Sequence, residues 1–164
     1  MTENTHLDPG TLGFFVVAAV SLPLAMVMFD SDAAQGLEFF KYAGIMLIIV
    51  GLLAWKCQAN FGYTVFALVG LAVYLTGNGT IGEWGNIVFG VIFLFCIVWS
   101  ILAGTGKNLT LLLVTTALIF LLVGLSSIID TDLNTVIGVV AILNFILNFY
   151  MACSCACPEK IKAF

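Results

Sequence analysis

The sequence predicts an all-α membrane protein, a bundle of six transmembrane helices, and three observations carry that prediction. Of the 164 residues, 62% are hydrophobic and only 9% charged, the mean hydropathy is +1.19, and the few charged residues are spaced so that long uncharged runs lie between them. A soluble domain is about 25% charged and needs that polarity to cover its surface. A soluble globular fold is therefore excluded.

A helix crosses the roughly 30 Å hydrocarbon layer with about 20 mostly apolar residues. The first run is Leu12 to Phe29, preceded by Glu3 and Asp8 and interrupted by Pro23, which sets it apart from a cleaved leader with its basic start. The second run is Phe39 to Trp55, closed by Lys56, and the third is Phe61 to Thr76. The fourth, Trp84 to Ala103, ends before Lys107; the fifth, Leu109 to Ile129, ends at Asp130; the sixth, Leu133 to Met151, leads into a tail with Lys160 and Lys162. Residues 1–164 thus form one transmembrane domain with short tails. A β-barrel would alternate apolar and polar residues, and Ile45 to Leu53 or Leu109 to Val114 do not. Helices are the way such runs satisfy their backbone in lipid.

Orientation follows from lysine, since the chain has no arginine. Lys56, Lys107, Lys160 and Lys162 fall in the second loop, the fourth loop and the C-terminal tail, whereas Asp30, Asp32, Glu83, Asp130 and Asp132 fall in the odd loops. The positive-inside rule puts both termini in the cytoplasm of a multi-pass cell-membrane protein, with Lys41, beside Glu38, as the exception.

Loops this short leave no room for a soluble catalytic domain, so function resides in the bundle or its oligomer. His6 is the sole histidine and stands in the N-terminal tail, whereas a metal site takes three or four ligands. There is no phosphate-binding loop and no dinucleotide fingerprint. The expectation is a transporter rather than an enzyme, with no cofactor, no metal and no nucleic-acid partner. Cys153, Cys155 and Cys157 alternate just past the sixth run; they are read as reduced juxtamembrane thiols, with soft-metal binding or acylation as the sharper alternatives.

Polar residues inside the spans mark the candidate path. Asn144 and Asn148, four apart, share one face of the sixth helix; Thr115 and Thr116 lie in the fifth, and Tyr63, Thr64 and Tyr74 in the third. None is charged. A divalent anion would meet a basic residue and a proton relay would use a carboxylate or histidine. What remains is a small solute, singly charged at most or carrying its own proton. Gly44 and Gly51 are seven apart and let the second helix approach a neighbour closely.

Two segments carry a resemblance to a known family. Asp8-Pro9-Gly10-Thr11-Leu12-Gly13 resembles the Asn-Pro-Ala-Pro-Leu-Gly signature that opens the acetate uptake transporters, the succinate/acetate permease group. Gly51-Leu52-Leu53-Ala54-Trp55-Lys56 with Asn60-Phe61-Gly62-Tyr63-Thr64 is similar to that family's Gly-Leu-Leu-Glu-Tyr-Lys and Asn-Thr-Phe-Gly-Leu-Thr. The resemblance implies a homo-hexamer of six-helix protomers in lipid, each with its own pore for acetate and similar small monocarboxylates, described as proton-coupled or channel-like. It places Leu12, Gly13, Val17, Val69 and Thr116 along the substrate path, Asp8 and Pro9 in the opening motif, and leaves Asn144 and Asn148 as polar contacts. The family's narrowing phenylalanine, tyrosine and leucine correspond here to Val17, Val69 and Thr116, so the constriction is expected to be reshaped. The alternatives are a channel for another small solute such as ammonia, and a non-transporting scaffold that uses its cysteine tail.

Overall fold

The structure is a computed structural model, and it describes residues 8–30 and 38–162. His6, Glu3 and Asp32 lie outside the described residues. Six α-helices follow in order: α1 Pro9–Phe29, α2 Glu38–Lys56, α3 Asn60–Gly77, α4 Gly82–Leu102, α5 Lys107–Ile128 and α6 Asn134–Ala156. Each is long and apolar enough to cross a membrane, and at 1.5 Å per residue they measure about 27 to 35 Å. The chain is a multi-pass membrane protein.

The helices run somewhat beyond the apolar runs, and the reasons are local. α1 starts at Pro9 rather than Leu12 because Asp8 caps it, accepting a hydrogen bond from Gly10 N at 2.8 Å, and proline suits the first turn, where its missing N–H costs nothing. α6 runs to Ala156, so Cys153 and Cys155 belong to its last turns rather than to a tail beyond it. Small residues at 152–156 are compatible with helix, and Pro158 follows where the helix has ended. Pro23 sits inside α1 without breaking it. Left-handed backbone at Gly79 and Gly104 turns the chain after α3 and α4.

Each helix packs on its neighbours in the chain, and α1 packs on α6, so the six close into a ring. Consecutive helices are antiparallel. One end of the ring therefore gathers Lys56, Lys107, Lys160 and Lys162, and the other gathers Asp30, Glu38, Glu83, Asp130 and Asp132. Lys41, at the acidic end, lies 3.8 Å from Glu38.

The closest helix pair is stitched by glycine. Along α2 and α3, Gly77 faces Lys41, Gly44 faces Tyr74, Gly70 faces Ile48 and Gly51 faces Ala67. A methyl group added to Gly44 would stand 2.5 Å from Tyr74 N and 2.7 Å from Gly70 O, so the two backbones touch. Without a hydrophobic drive between helices in lipid, such van der Waals contact does much of the joining. Gly44 and Gly51 do share a face, and α3 answers with Gly70 and Gly77 at the same spacing. On the other side of the ring, Gly90 and Gly124 of α4 and α5 meet Leu121 and Ile87, and Gly138 of α6 seats the Phe29 ring of α1.

Large apolar side chains cover the outer surface, among them Phe95, Leu102 and Tyr42, each more than 70% exposed. Phe40, Phe93, Leu47, Leu113 and Ile137 are fully buried in the ring. The inverted economy of a soluble protein, apolar outside as well as inside, is what lipid solvation requires.

Candidate functional site: cavities along the helix ring

Three cavities lie in series along the ring, in the same order on α1, α3 and α5. The first, about 180 Å³ at the lysine end, is lined by Asp8, Pro9, Gly10 and Phe14 of the α1 end, by Phe61, Gly62, Val65 and Phe66 of α3, and by Leu109 of α5. The second, about 40 Å³ at mid-membrane, is lined by Val17, Val20, Ser21, Val69, Val73, Thr116, Phe120 and Asn144. The third, about 150 Å³ toward the acidic end, shares Val20, Leu24, Val73, Ile119 and Phe120 with the second and adds Phe40, Thr76 and Asn86. The second and third are contiguous. A wall stands between them and the first.

That wall is aromatic. Phe14 and Phe66 pack edge to face across the ring with centroids 5.3 Å apart, an arrangement their ring quadrupoles favour. They line the first cavity, while Val17 and Val69, three residues further along the same helices, line the central one. The positions at which the resemblance places a phenylalanine and a tyrosine are thus small in this chain, and bulk stands one turn nearer the lysine end instead. Phe120, stacked on Phe93 of α4 at 5.5 Å, bounds the central cavity on its other side.

The placement of the expected path residues divides them into groups. Val17, Val69, Thr116 and Asn144, scattered over four helices, meet at the central cavity. Asp8 and Pro9 line the first cavity, at the lysine end. Gly13 is buried, and a side chain there would strike the Phe66 ring, so its role is to make room for the aromatic wall. Leu12 is 44% exposed and lines none of the three cavities. Asn148 is fully buried one turn from Asn144, toward the lysine end.

Asn144 is the hub of a polar cluster joining α1, α5 and α6. Its amide nitrogen donates to Thr115 Oγ1 at 2.8 Å and Thr116 Oγ1 at 2.9 Å. Its Oδ1 accepts from Asn148 Nδ2 at 2.8 Å and lies 2.7 Å from the Ser21 hydroxyl, which also lies 2.8 Å from the Val17 carbonyl oxygen. Both threonine hydroxyls donate to Leu112 O at 2.9 Å. The two asparagines occupy one helix face, as their spacing requires, and the structure supplies the partners.

Sequence reasoning missed five buried polar residues, one of them Ser21 of α1, whose hydroxyl belongs to the cluster just described. Asn108, fully buried, sits in the first turn of α5, just ahead of the apolar run. Ser100 of α4 is fully buried against the hydroxyls of Thr105 and Thr110, the latter at 2.8 Å. Asn86 donates back to Gly82 O at 2.8 Å and lines the third cavity. Ser154 donates to Ile161 O at 3.0 Å and folds the tail onto α6. Apart from Ser21, which lies in mid-span, each stands within a turn or so of a predicted span end, where a polar residue reads as a loop. Only an i, i+4 companion of the kind that singled out Asn144 would have drawn attention to them.

The cysteines do not converge. Among the described residues no group of three histidine, cysteine or acidic side chains is placed to hold a metal ion. Cys57 and Cys157 are exposed at the lysine end, and Cys96 is buried in α4. The Cys155 thiol faces the Asp8 carboxylate at the lysine end.

No protein-family description matches this sequence, and no curated protein does. A solved structure does match: that of the bacterial acetate channel SatP, with a TM-score of 0.77 at 19% sequence identity, over 95% of this chain and 95% of that one. At that identity the likeness is one of fold, and it extends over the whole ring of helices. This chain therefore folds as the acetate channel does, with six helices closed into a ring, and Val17, Val69, Thr116 and Asn144 line its central cavity.

Proposed function

We propose that this protein is a permease or channel for acetate and similar small monocarboxylates, that it uses no ATP and performs no chemistry on its cargo, and that it works as a homo-hexamer in the cell membrane with both termini cytoplasmic. The observation that carries the reading is the central cavity. Four residues that the resemblance and the helix spacing nominate separately converge on it, in a ring with the fold of an acetate channel.

The geometry suits a small, weakly polar solute. The walls are aliphatic and aromatic, with hydroxyl and carboxamide groups on one side, and the cavity holds water-sized or slightly larger species. In this conformation the path is closed at Phe14 and Phe66, and rotation of those rings would join the inner cavity to the centre. A hydrophobic barrier of this kind gates by excluding water. The lysine end faces the cytoplasm in this reading, which makes Asp8 and Pro9 the inner mouth.

Uptake of labelled acetate by proteoliposomes tests the proposal, with empty liposomes as the baseline and with and without an imposed pH gradient. Protein-dependent flux is expected; its absence from correctly inserted protein for acetate and related acids rejects the proposal. The small volume and uncharged lining of the central cavity also favour a second reading, a channel for ammonia. Competition separates the two, since excess acetate suppresses labelled-acetate flux only if acetate uses the path.

A further inference from the structure

The third cavity, toward the acidic end of the ring, is apolar except at one place. Of the described residues that line it, only Thr76 and Asn86 are polar. Asn86 stands in the second turn of α4 and is 7% exposed. Its amide nitrogen gives one hydrogen to Gly82 O at 2.8 Å, and this fixes the nitrogen on that side, because a carbonyl oxygen can only accept. The other amide hydrogen and Oδ1 have no partner among the described residues. Nor is that oxygen sealed in by packing, as Asn148 Oδ1 is; it borders open space, and the space beside it is the cavity. Thr76 donates to Ala72 O at 2.9 Å, which leaves its own oxygen as a further acceptor.

Native proteins pair nearly all buried polar groups, so a carboxamide with a donor and an acceptor unmet points to a ligand. The walls say which kind. Sites for small molecules are mostly apolar with a few polar groups that orient the ligand, and this one pairs a single carboxamide with Leu24, Phe40, Ile119 and Val123. Its volume of about 150 Å³ is roughly five times the ~30 Å³ that a water takes up in the liquid. Acetate, with four non-hydrogen atoms, leaves part of it empty. Butyrate, with six, fills it and reaches the contiguous central cavity, which stays open because Val17 and Val69 are small.

Resting on the monocarboxylate reading above, we infer that the third cavity is a binding site for aliphatic monocarboxylic acids of about four carbons, with the carboxyl group on Asn86 and the alkyl chain directed toward the central cavity. The carboxamide can give its N–H to a carboxyl oxygen in either charge form, so the site selects by the tail. A second carboxylate at the far end would stand against Val20, Ile119 and Phe120, and no cationic side chain is among the described residues lining either cavity. Succinate, of the same length as butyrate, is thereby refused.

Equilibrium dialysis of labelled acids against the purified full-length protein in detergent tests this, with protein-free micelles as the baseline. Butyrate is expected to bind about tenfold more tightly than acetate, at about three- to fourfold for each added methylene, and succinate no more tightly than acetate. Octanoate gains nothing over butyrate, because its chain outgrows the two cavities. Equal binding of acetate and butyrate overturns the inference, as does succinate binding as tight as that of butyrate. Affinity that climbs steadily to octanoate marks partition onto an apolar surface and overturns it too. Asn86→Leu is expected to weaken butyrate binding about fivefold, and Val123→Phe, which narrows the third cavity alone, to abolish the preference for butyrate over acetate. Butyrate binding unchanged in folded Asn86→Leu overturns Asn86 as the carboxyl contact. Should either variant fail to fold, the series of acids on the unaltered protein decides. Acetate flux in proteoliposomes without a butyrate preference in binding removes this inference and leaves the permease reading standing. A butyrate preference without flux of any acid removes the permease reading and leaves the binding site.

Discussion

Replacing Asn144 by leucine removes the hub of the polar cluster while nearly preserving volume. The side chain makes three short bonds to other helices, one with Ser21 of α1 and one each with Thr115 and Thr116 of α5. Interhelical hydrogen bonds in membrane proteins contribute about 0.6 kcal/mol each and at most about 1.7. Three of them give about 2 kcal/mol, and because Asn144 is 1% exposed no water replaces what is lost. Asn144→Leu is thus expected to lower stability by about 2 kcal/mol, read from reversible unfolding in detergent or bilayers. A double-mutant cycle with Ser21→Ala should return a coupling of about 0.6 kcal/mol, because the two residues share one bond. A loss smaller than about 0.5 kcal/mol, or zero coupling to Ser21, would refute the assignment of Asn144 as the junction of α1, α5 and α6.

Other perturbations address separate parts of the structure. Val17→Phe places a ring in a cavity of about 40 Å³; acetate flux should fall at least about tenfold in liposomes, with an overpacking cost of about 1–3 kcal/mol. Gly44→Ala puts a methyl group 2.5 Å from Tyr74 N, so α2 and α3 must separate; a destabilisation of about 1–3 kcal/mol by unfolding assay is expected, whereas alanine at Gly79, where nothing lies within 4 Å, meets only the left-handed backbone strain. Cys57 and Cys157, exposed at the lysine end, should react with a membrane-impermeant maleimide only after cells are permeabilised. Labelling of intact cells would reverse the orientation.

Much of the architecture was legible because lipid simplifies the code. Six uncharged runs can do little else than form helices, and the segregation of lysine from the acidic residues fixed which ends lie together. The span ends were less legible, since Asp8 capping and the small residues of 152–156 extend α1 and α6 by rules the apolar count ignores. The site was legible in part. Asn144 stood out through its i, i+4 partner, and Val17, Val69 and Thr116 through the family resemblance, yet Leu12 was nominated with them and faces outward.

By itself the sequence determined the solvent, the number of spans and the absence of charge along them, because these depend on composition and on the length needed to cross hydrocarbon. Only the tertiary structure decided that α1 closes on α6, that the aromatic wall is Phe14 with Phe66 rather than a pair at 17 and 69, and that the mid-membrane cluster spends its hydrogens and keeps a spare acceptor. Those properties depend on which atoms of different helices come within 3 to 5 Å of one another. Periodicity along one helix names the face, and only the packing of its neighbours says what that face meets.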